Sequence, residues 1–254
     1  MPPRIDKFIS NNTDHSRSDV RKLIKAKRVE LNGELVGSVD VRTTINKDIV
    51  MLDGVRIEPI GDVYLILNKP QGYVCANGDG QHPTVIDLLK QSANFAGKKL
   101  KLLPFKDLQI AGRLDLDTTG MVLITNDGKW NHNITSPSVD CKKIYRVSLD
   151  APLSPTAPAL FARGVQLEGE KKKTRPAFLE VISPKKVRLS LSEGKYHQVK
   201  RMFAATGNHV TQLHRESIAG LSLDSALSPG QFRYITQEEL SLIEKNTRGV
   251  KHDG

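Results

Sequence analysis

The sequence predicts an α+β protein: a small N-terminal module, then a larger domain on a mixed, mostly antiparallel β-sheet with flanking helices. Three observations predict it. Amphipathic helical stretches open with capping residues, as Ser16-Arg17-Ser18-Asp19 does. Turn pairs such as Asn32-Gly33 and Asp53-Gly54 join short apolar runs into hairpins. Beyond residue 60, many short strand-like runs alternate with helical ones, without a repeat period.

Residues 1–60 form the first predicted module. Ile5, Phe8 and Ile9 stand at i, i+3, i+4 and give a short helix one apolar face. The helix that starts at Ser16 buries Val20, Leu23 and Ile24, and its other sides carry Arg17, Arg21, Lys22, Lys25, Lys27 and Arg28 against the single acid Asp19. A solvated face mixes signs, so six cations to one anion suits a phosphate-bearing partner. Two hairpins follow, around Asn32-Gly33 and Asp53-Gly54, and residues 58–62 read as a linker.

The second predicted domain covers residues 61–244. A strand at 63–67 gives way to a turn at Asn68-Lys69-Pro70-Gln71-Gly72. A helix opens at Thr84, residues 91–107 read as a Lys-rich loop, and Met121-Val122-Leu123-Ile124 reads as a buried strand. Asn126-Asp127-Gly128 turns into a short helix through Trp130 and Ile134, and residues 143–149 alternate as a strand. Ser154 and Pro155 sit where a helix cap and first position belong, with Gly164 past its end. Lys171-Lys172-Lys173-Thr174-Arg175 is a basic loop. Strands at 177–182 and 187–191 precede a helix carrying Val199, Met202 and Phe203 on its buried face, so that Lys200 and Arg201 emerge beside the core. Strands at 210–214, 218–223 and 232–235 lead to a last helix capped by Thr236 with Glu239, and residues 245–254 read as a disordered tail.

Composition narrows the function classes. The chain has 254 residues, a formal net charge of +10 and 26% charged residues, with no apolar run long enough for a membrane span. A polyanion partner follows, and nucleic acid is favoured over a membrane because no basic helix carries bulky apolar anchors. Cys75 and Cys141, far apart, point to a reducing compartment, hence the cytoplasm, and the scattered histidines give no metal cluster. No P-loop or dinucleotide fingerprint is present.

The chemistry concentrates in Gly112-Arg113-Leu114-Asp115-Leu116-Asp117-Thr118-Thr119-Gly120. A tight loop with an internal Arg–Asp pair is the bland reading. Asp115-Leu116-Asp117-Thr118 also fits the DxDxT pattern of magnesium-dependent phosphotransferases, but no apolar strand leads directly into it and no later acidic cluster completes a metal site. A glycoside hydrolase with paired carboxylates would need facing acids about 5–9 Å apart, and 5% aromatics leaves few sugar platforms.

Two resemblances add to this reading. Arg4-Ile5-Asp6-Lys7-Phe8-Ile9, Ser16-Arg17-Ser18-Asp19-Val20 and Val29-Glu30-Leu31-Asn32-Gly33 resemble, in order, the αL RNA-binding module of ribosomal and RNA-modifying proteins. The resemblance implies that the second helix docks on structured RNA. Leu67-Asn68-Lys69-Pro70-Gln71-Gly72-Tyr73, the 112–120 stretch, Lys143-Ile144-Tyr145 and Glu193-Gly194-Lys195-Tyr196-His197-Gln198-Val199-Lys200-Arg201-Met202 are similar, in order, to the motifs of RNA pseudouridine synthases. The leading module, and His197 in the last motif, resemble the branch that modifies small-subunit ribosomal RNA. The substrate implied is therefore ribosomal RNA, naked or within an assembling particle, and a monomer is expected.

That resemblance implies roles. Asp115 is the catalytic residue, attacking ribose C1′ or taking a proton from C2′. Lys200 is the cation that offsets its desolvation, with Arg201 the neighbouring alternative. Tyr145 stacks on the flipped uracil, Leu191 packs beneath it, and Arg113 helps to open the stack, with Arg201 as a further RNA contact. The isomerisation so implied needs no cofactor, which agrees with the absence of a P-loop or dinucleotide fingerprint. Asp117, Thr118 and Thr119 shape the loop, and His197 serves as a structural hydrogen-bonding group. A non-catalytic RNA-binding or ribosome-assembly factor is the other reading left open.

Overall fold

A computed structural model describes residues 2–93 and 105–247. They group into two compact units, residues 2–63 with 89–93 and 105–108, and residues 64–88 with 109–247.

In the first unit, α1 (Ile5–Asn12) and α2 (Arg17–Lys25) pack on a four-stranded antiparallel meander. Its strands are β1 (Val29–Leu31), β2 (Glu34–Leu35), β3 (Val50–Leu52) and β4 (Val55–Arg56), in the order β2-β1-β3-β4. The Ser16 hydroxyl accepts from the Asp19 N–H while the Asp19 carboxylate accepts from the Ser16 N–H, so the predicted capping box is formed. Asn32 and Gly33, like Asp53 and Gly54, all have positive φ, which matches their turn to the twist of the flanking strands. Ile5, Phe8, Ile9, Val20, Leu23, Ile24, Val29 and Val50 fill the core.

The second unit is a nine-stranded sheet. Its path runs β13 (Phe232–Tyr234), β5 (Tyr64–Lys69), β7 (Thr119–Thr125), β11 (Val210–Ile218), β8 (Lys143–Leu149), β10 (Lys186–Leu191), β9 (Phe178–Ser183). β6 (Gln109–Ala111) pairs with β7, and β12 (Leu221–Ser222) pairs with β11. Among the described residues the named strands pair antiparallel except β7 with β11, which are parallel over Thr119–Gly120. α3 (Val85–Ala93) starts in this unit, and around the sheet lie α4 (Gly128–Thr135), α5 (Ala157–Ala162), α6 (Gln198–Ala204) and α7 (Gln237–Thr247). Among the described residues, no helix is long and apolar enough to cross a membrane.

Several boundaries differ from the sequence reading. β5 runs through Asn68 and Lys69 instead of ending at Leu67, because Asn68 donates to the Leu227 carbonyl and the buried Lys69 ammonium finds backbone acceptors. The strands expected at 210–214 and 218–223 are one nine-residue strand, then an Ala219-Gly220 turn into β12. The cap of α5 is Thr156, since Ser154 and Pro155 lie in a preceding turn closed by the Ala157 N–H on the Ser154 carbonyl. Within the expected 91–107 loop, α3 reaches Ala93 and Phe105–Asp107 form a 3-10 turn; residues 94–104 lie outside the described residues. α7 holds Lys245 through Thr247, and the rest of the expected tail lies outside them.

Candidate active site

The 112–120 loop joins β6 to β7, and its β7 end is paired with β11. Gly120 has φ +104, and a Cβ there would lie 2.3 Å from the Arg215 carbonyl oxygen. Only glycine lets β7 and β11 approach so closely. Gly112, at φ +87, starts the loop.

Two cations that the sequence reading passed over hold this loop by its backbone. The Lys69 ammonium donates to the carbonyls of Thr118 at 2.7 Å, Pro70 at 3.1 Å and Leu116 at 3.3 Å. Burial lowers its pKa, and the nearby Asp117 and Asp115 carboxylates work the other way. Arg215, 1% exposed, donates to the carbonyls of Gly112 at 2.6 Å and Met121 at 2.7 Å, and more weakly to Arg113 at 3.4 Å. Its Nη1 also donates to the Tyr145 hydroxyl at 3.3 Å, which ties Tyr145 to the loop. The Leu114 N–H donates to Cys75 Sγ at 3.3 Å, and the Gly72 N–H to the Leu116 carbonyl at 2.9 Å. With its backbone fastened at this many points, the loop presents its side chains in fixed directions.

Asp115 and Asp117 both turn toward α6. Lys200 Nζ lies 2.6 and 2.8 Å from the two oxygens of Asp117 and 3.5 Å from Asp115 Oδ2. His197 Nε2 lies 3.5 Å from Asp115 Oδ1. An ammonium thus stands where the DxDxT reading would require magnesium. Partial burial pushes the Asp117 carboxyl up, but its hydrogen bond and charge pairing with Lys200 outweigh that and hold it below the usual carboxylate range. Asp117 is therefore the tighter partner of Lys200, beyond the loop-shaping place the sequence suggested. Of the two threonines, Thr119 meets His214 Nδ1 at 2.9 Å, whereas the buried Thr118 hydroxyl has no hydrogen-bond partner among the described residues.

The remaining predicted residues divide. Tyr145 on β8 is buried; Leu191, at the end of β10, pairs with Lys143 and lies on the same sheet face as Tyr145, whose own partner is Leu189. Arg113 is exposed, and among the described residues its guanidinium has no ion pair. Arg201 faces away from the carboxylates: it pairs with Glu170 at 3.3 Å and donates to the carbonyls of Tyr196 and Glu168. Of the two alternatives for a cation beside Asp115, the geometry brings Lys200 there. A groove of about 500 Å³ opens beside this cluster, lined by Asp117 and Lys200 together with Arg146, Lys186, Gln212 and His214.

The basic helix belongs to the first unit. Arg17 pairs with the buried Asp6 at 2.9 Å, Arg28 with Asp53 at 2.6 Å, and Lys22 with Asp19 at 3.9 Å. Arg21 and Lys25 are exposed and, among the described residues, have no ion pair.

Comparison with known proteins places this geometry. The sequence model of the RNA pseudouridylate synthase family matches residues 63–205. Ribosomal small subunit pseudouridine synthase A of Yersinia pestis is 47% identical over 94% of this chain and 97% of its own length. Its counterpart from Escherichia coli (strain K12) is 45% identical over 94% of this chain and 99% of its own. A crystal structure of a pseudouridylate synthase, 43% identical, covers 94% of this chain and 99% of its own, with a TM-score of 0.64. This chain belongs to the RNA pseudouridylate synthase family.

Proposed function

We propose that this enzyme isomerises a uridine of small-subunit ribosomal RNA to pseudouridine, with Asp115 as the catalytic carboxylate. One observation carries the assignment: Asp115 stands on a loop fastened from behind by Lys69 and Arg215, with Lys200 and His197 each 3.5 Å from its oxygens. A carboxylate so placed is oriented and supported by a cation as substrate displaces water. It either attacks C1′ or takes the C2′ proton. In both routes the N1–C1′ bond breaks and uracil turns. A C5–C1′ bond then forms as the Asp115–C1′ ester breaks or, in the second route, as the proton returns to C2′; the C5 proton leaves, and N1 ends protonated. Atoms and electrons balance without a co-reactant, so the reaction calls for no cofactor.

Tyr145, on the strand beside β11, stacks on the extruded uracil and assists loss of the C5 proton, with Leu191 packed on the same face. Arg113, exposed at the loop, stands where a side chain can fill the gap left by a flipped base and lower the few kcal/mol that extrusion costs. The engagement of Arg201 with Glu170 and two carbonyls supports a buttressing place rather than an RNA contact. The relatives' names support the small subunit as the source of substrate. The basic side chains of α2 support the first unit as an αL-type RNA-binding module, attached to a monomeric enzyme that works in a reducing cytoplasm.

The test is Asp115→Asn assayed on small-subunit ribosomal RNA. Pseudouridine formation falls on the order of a thousand-fold or more, within the range of lost acid–base or nucleophilic catalysis, while RNA affinity stays within a few-fold. Turnover near the wild-type rate overturns the role given to Asp115.

A further inference from the structure

Beside Asp115 lies a pair of rings, and the reaction above gives the outer one no task. Tyr196 is 75% exposed, the most exposed large apolar side chain among the described residues. Its ring stacks on His197, with centroids 3.8 Å apart and planes inclined by 20°. His197 in turn reaches to 3.5 Å from Asp115. The phenol ring is thus one aromatic layer from the carboxylate, with its outer face open to solvent.

The backbone that holds the pair is both strained and over-determined. His197 has φ 47 and ψ 35, the left-handed region that a residue with a Cβ rarely adopts. Such strain persists only where the surroundings enforce it, and it gathers at functional sites. Here the enforcement is visible. The Lys195 N–H donates to Gln198 Oε1 at 2.8 Å, and Gln198 Nε2 donates to Glu193 Oε1 at 2.7 Å. Arg201 donates from its side chain to the Tyr196 carbonyl at 3.0 Å and from its backbone to that of His197 at 3.0 Å. Glu170 ties Lys195 and Arg201 together.

The geometry points to Tyr196 as a stacking platform for a nucleobase of the RNA that neighbours the flipped uridine. When a uridine leaves its stack, the adjacent base loses a stacking partner, and an aromatic face at hand replaces it. Aromatic stacking accepts any base, so the platform adds affinity and holds the strand in place without reading sequence. His197 sets the tilt of the platform and joins it to Asp115, so that a seated neighbour base binds the RNA beside the carboxylate. This inference rests on the pseudouridine synthase reading above and adds a substrate-binding position to it.

The test measures tritium released from C5-labelled uridine by the full-length enzyme. Its substrate is small-subunit RNA from a strain lacking the enzyme, presented naked and as the partly assembled particle. Tyr196→Ala raises KM about tenfold or more, leaves kcat within about threefold, and leaves Tm unchanged because so exposed a ring has little packing to lose. Tyr196→Phe and Tyr196→Trp keep the wild-type KM, since they keep a ring. An unchanged KM in Tyr196→Ala, or a KM as poor in Tyr196→Phe as in Tyr196→Ala, overturns the platform. Release by the wild-type enzyme from either substrate keeps that failure distinct from failure of the reaction itself, which would silence the wild-type enzyme and every variant alike.

Discussion

Arg215 shows how a single residue can join the sheet to the catalytic loop. Its guanidinium is fully enclosed, yet among the described residues it faces carbonyls and a phenol rather than a carboxylate. Its planar fork lets one side chain hold both ends of the 112–120 loop, through Gly112 and Met121, and reach Tyr145 as well. Arg215→Met removes these donors and strands at least two buried carbonyls, at about 1–3 kcal/mol each. We expect a loss of about 3 kcal/mol and a fall in Tm on the order of 10 °C by calorimetry. We also expect a lower kcat at temperatures where the variant stays folded; wild-type kcat there would mean that Arg215 serves stability alone. The sequence could not reveal this. Arg215 lies within Leu213-His214-Arg215-Glu216-Ser217, where an arginine beside a glutamate reads as solvated. Only the pairing of β11 with both β7 and β8 puts it behind the loop. Asp115, Lys200 and Tyr145 stand in motifs that single them out as candidates, whereas Lys69 looked like part of a turn until its strand proved two residues longer.

Elements governed by local chemistry were readable, and those governed by distant partners were not. The boxes Ser16/Asp19, Thr84/Asp87 and Thr236/Glu239 close within three residues, so their helices start where the sequence places them. β6 escaped notice because it is three residues long and is stabilised by β7 rather than by its own pattern. α2 was legible in both its faces, and its outer face carries a prediction. Arg17 and Arg28 are engaged by Asp6 and Asp53, which leaves Arg21 and Lys25 as cations available to phosphates. Arg21→Glu with Lys25→Glu therefore weakens RNA binding, and the slope of log K against log salt shrinks by roughly 1.5–2 if two phosphate contacts are lost. Filter binding across a salt series reads both quantities. An unchanged slope would place the RNA elsewhere.

The chain carries +10, and among the described residues each unit holds a buried apolar cluster of its own. Its positive field steers RNA toward the enzyme, but it also makes acid a hazard, because each carboxylate neutralised adds to the repulsion. The first unit is exposed to this hazard through Asp6. That side chain is 0% exposed and is paired with Arg17 at 2.9 Å and Arg4 at 3.1 Å. Burial pushes its pKa up, but the hydrogen bonds and charges of Arg17 and Arg4 outweigh burial, so the folded value lies below the ordinary one. A carboxylate lowered in the folded state contributes stability that is fully present above its unfolded pKa, about 3.9, and is lost as pH falls through the folded value. Acidification from pH 7 toward pH 3 therefore loosens the first unit by weakening this pair. The two can be watched apart. Trp130, the single tryptophan of the chain, sits in the core of the second unit, so its fluorescence follows that unit alone. Amide hydrogen exchange in α1 and α2 follows the first. Protection in those helices falls over that range, whether or not Trp130 fluorescence changes. In Asp6→Asn the protection is already lower at pH 7 and changes less between pH 5 and pH 3. Equal acid sensitivity of wild type and Asp6→Asn in α1 and α2 would show that the buried pair is not what acid attacks.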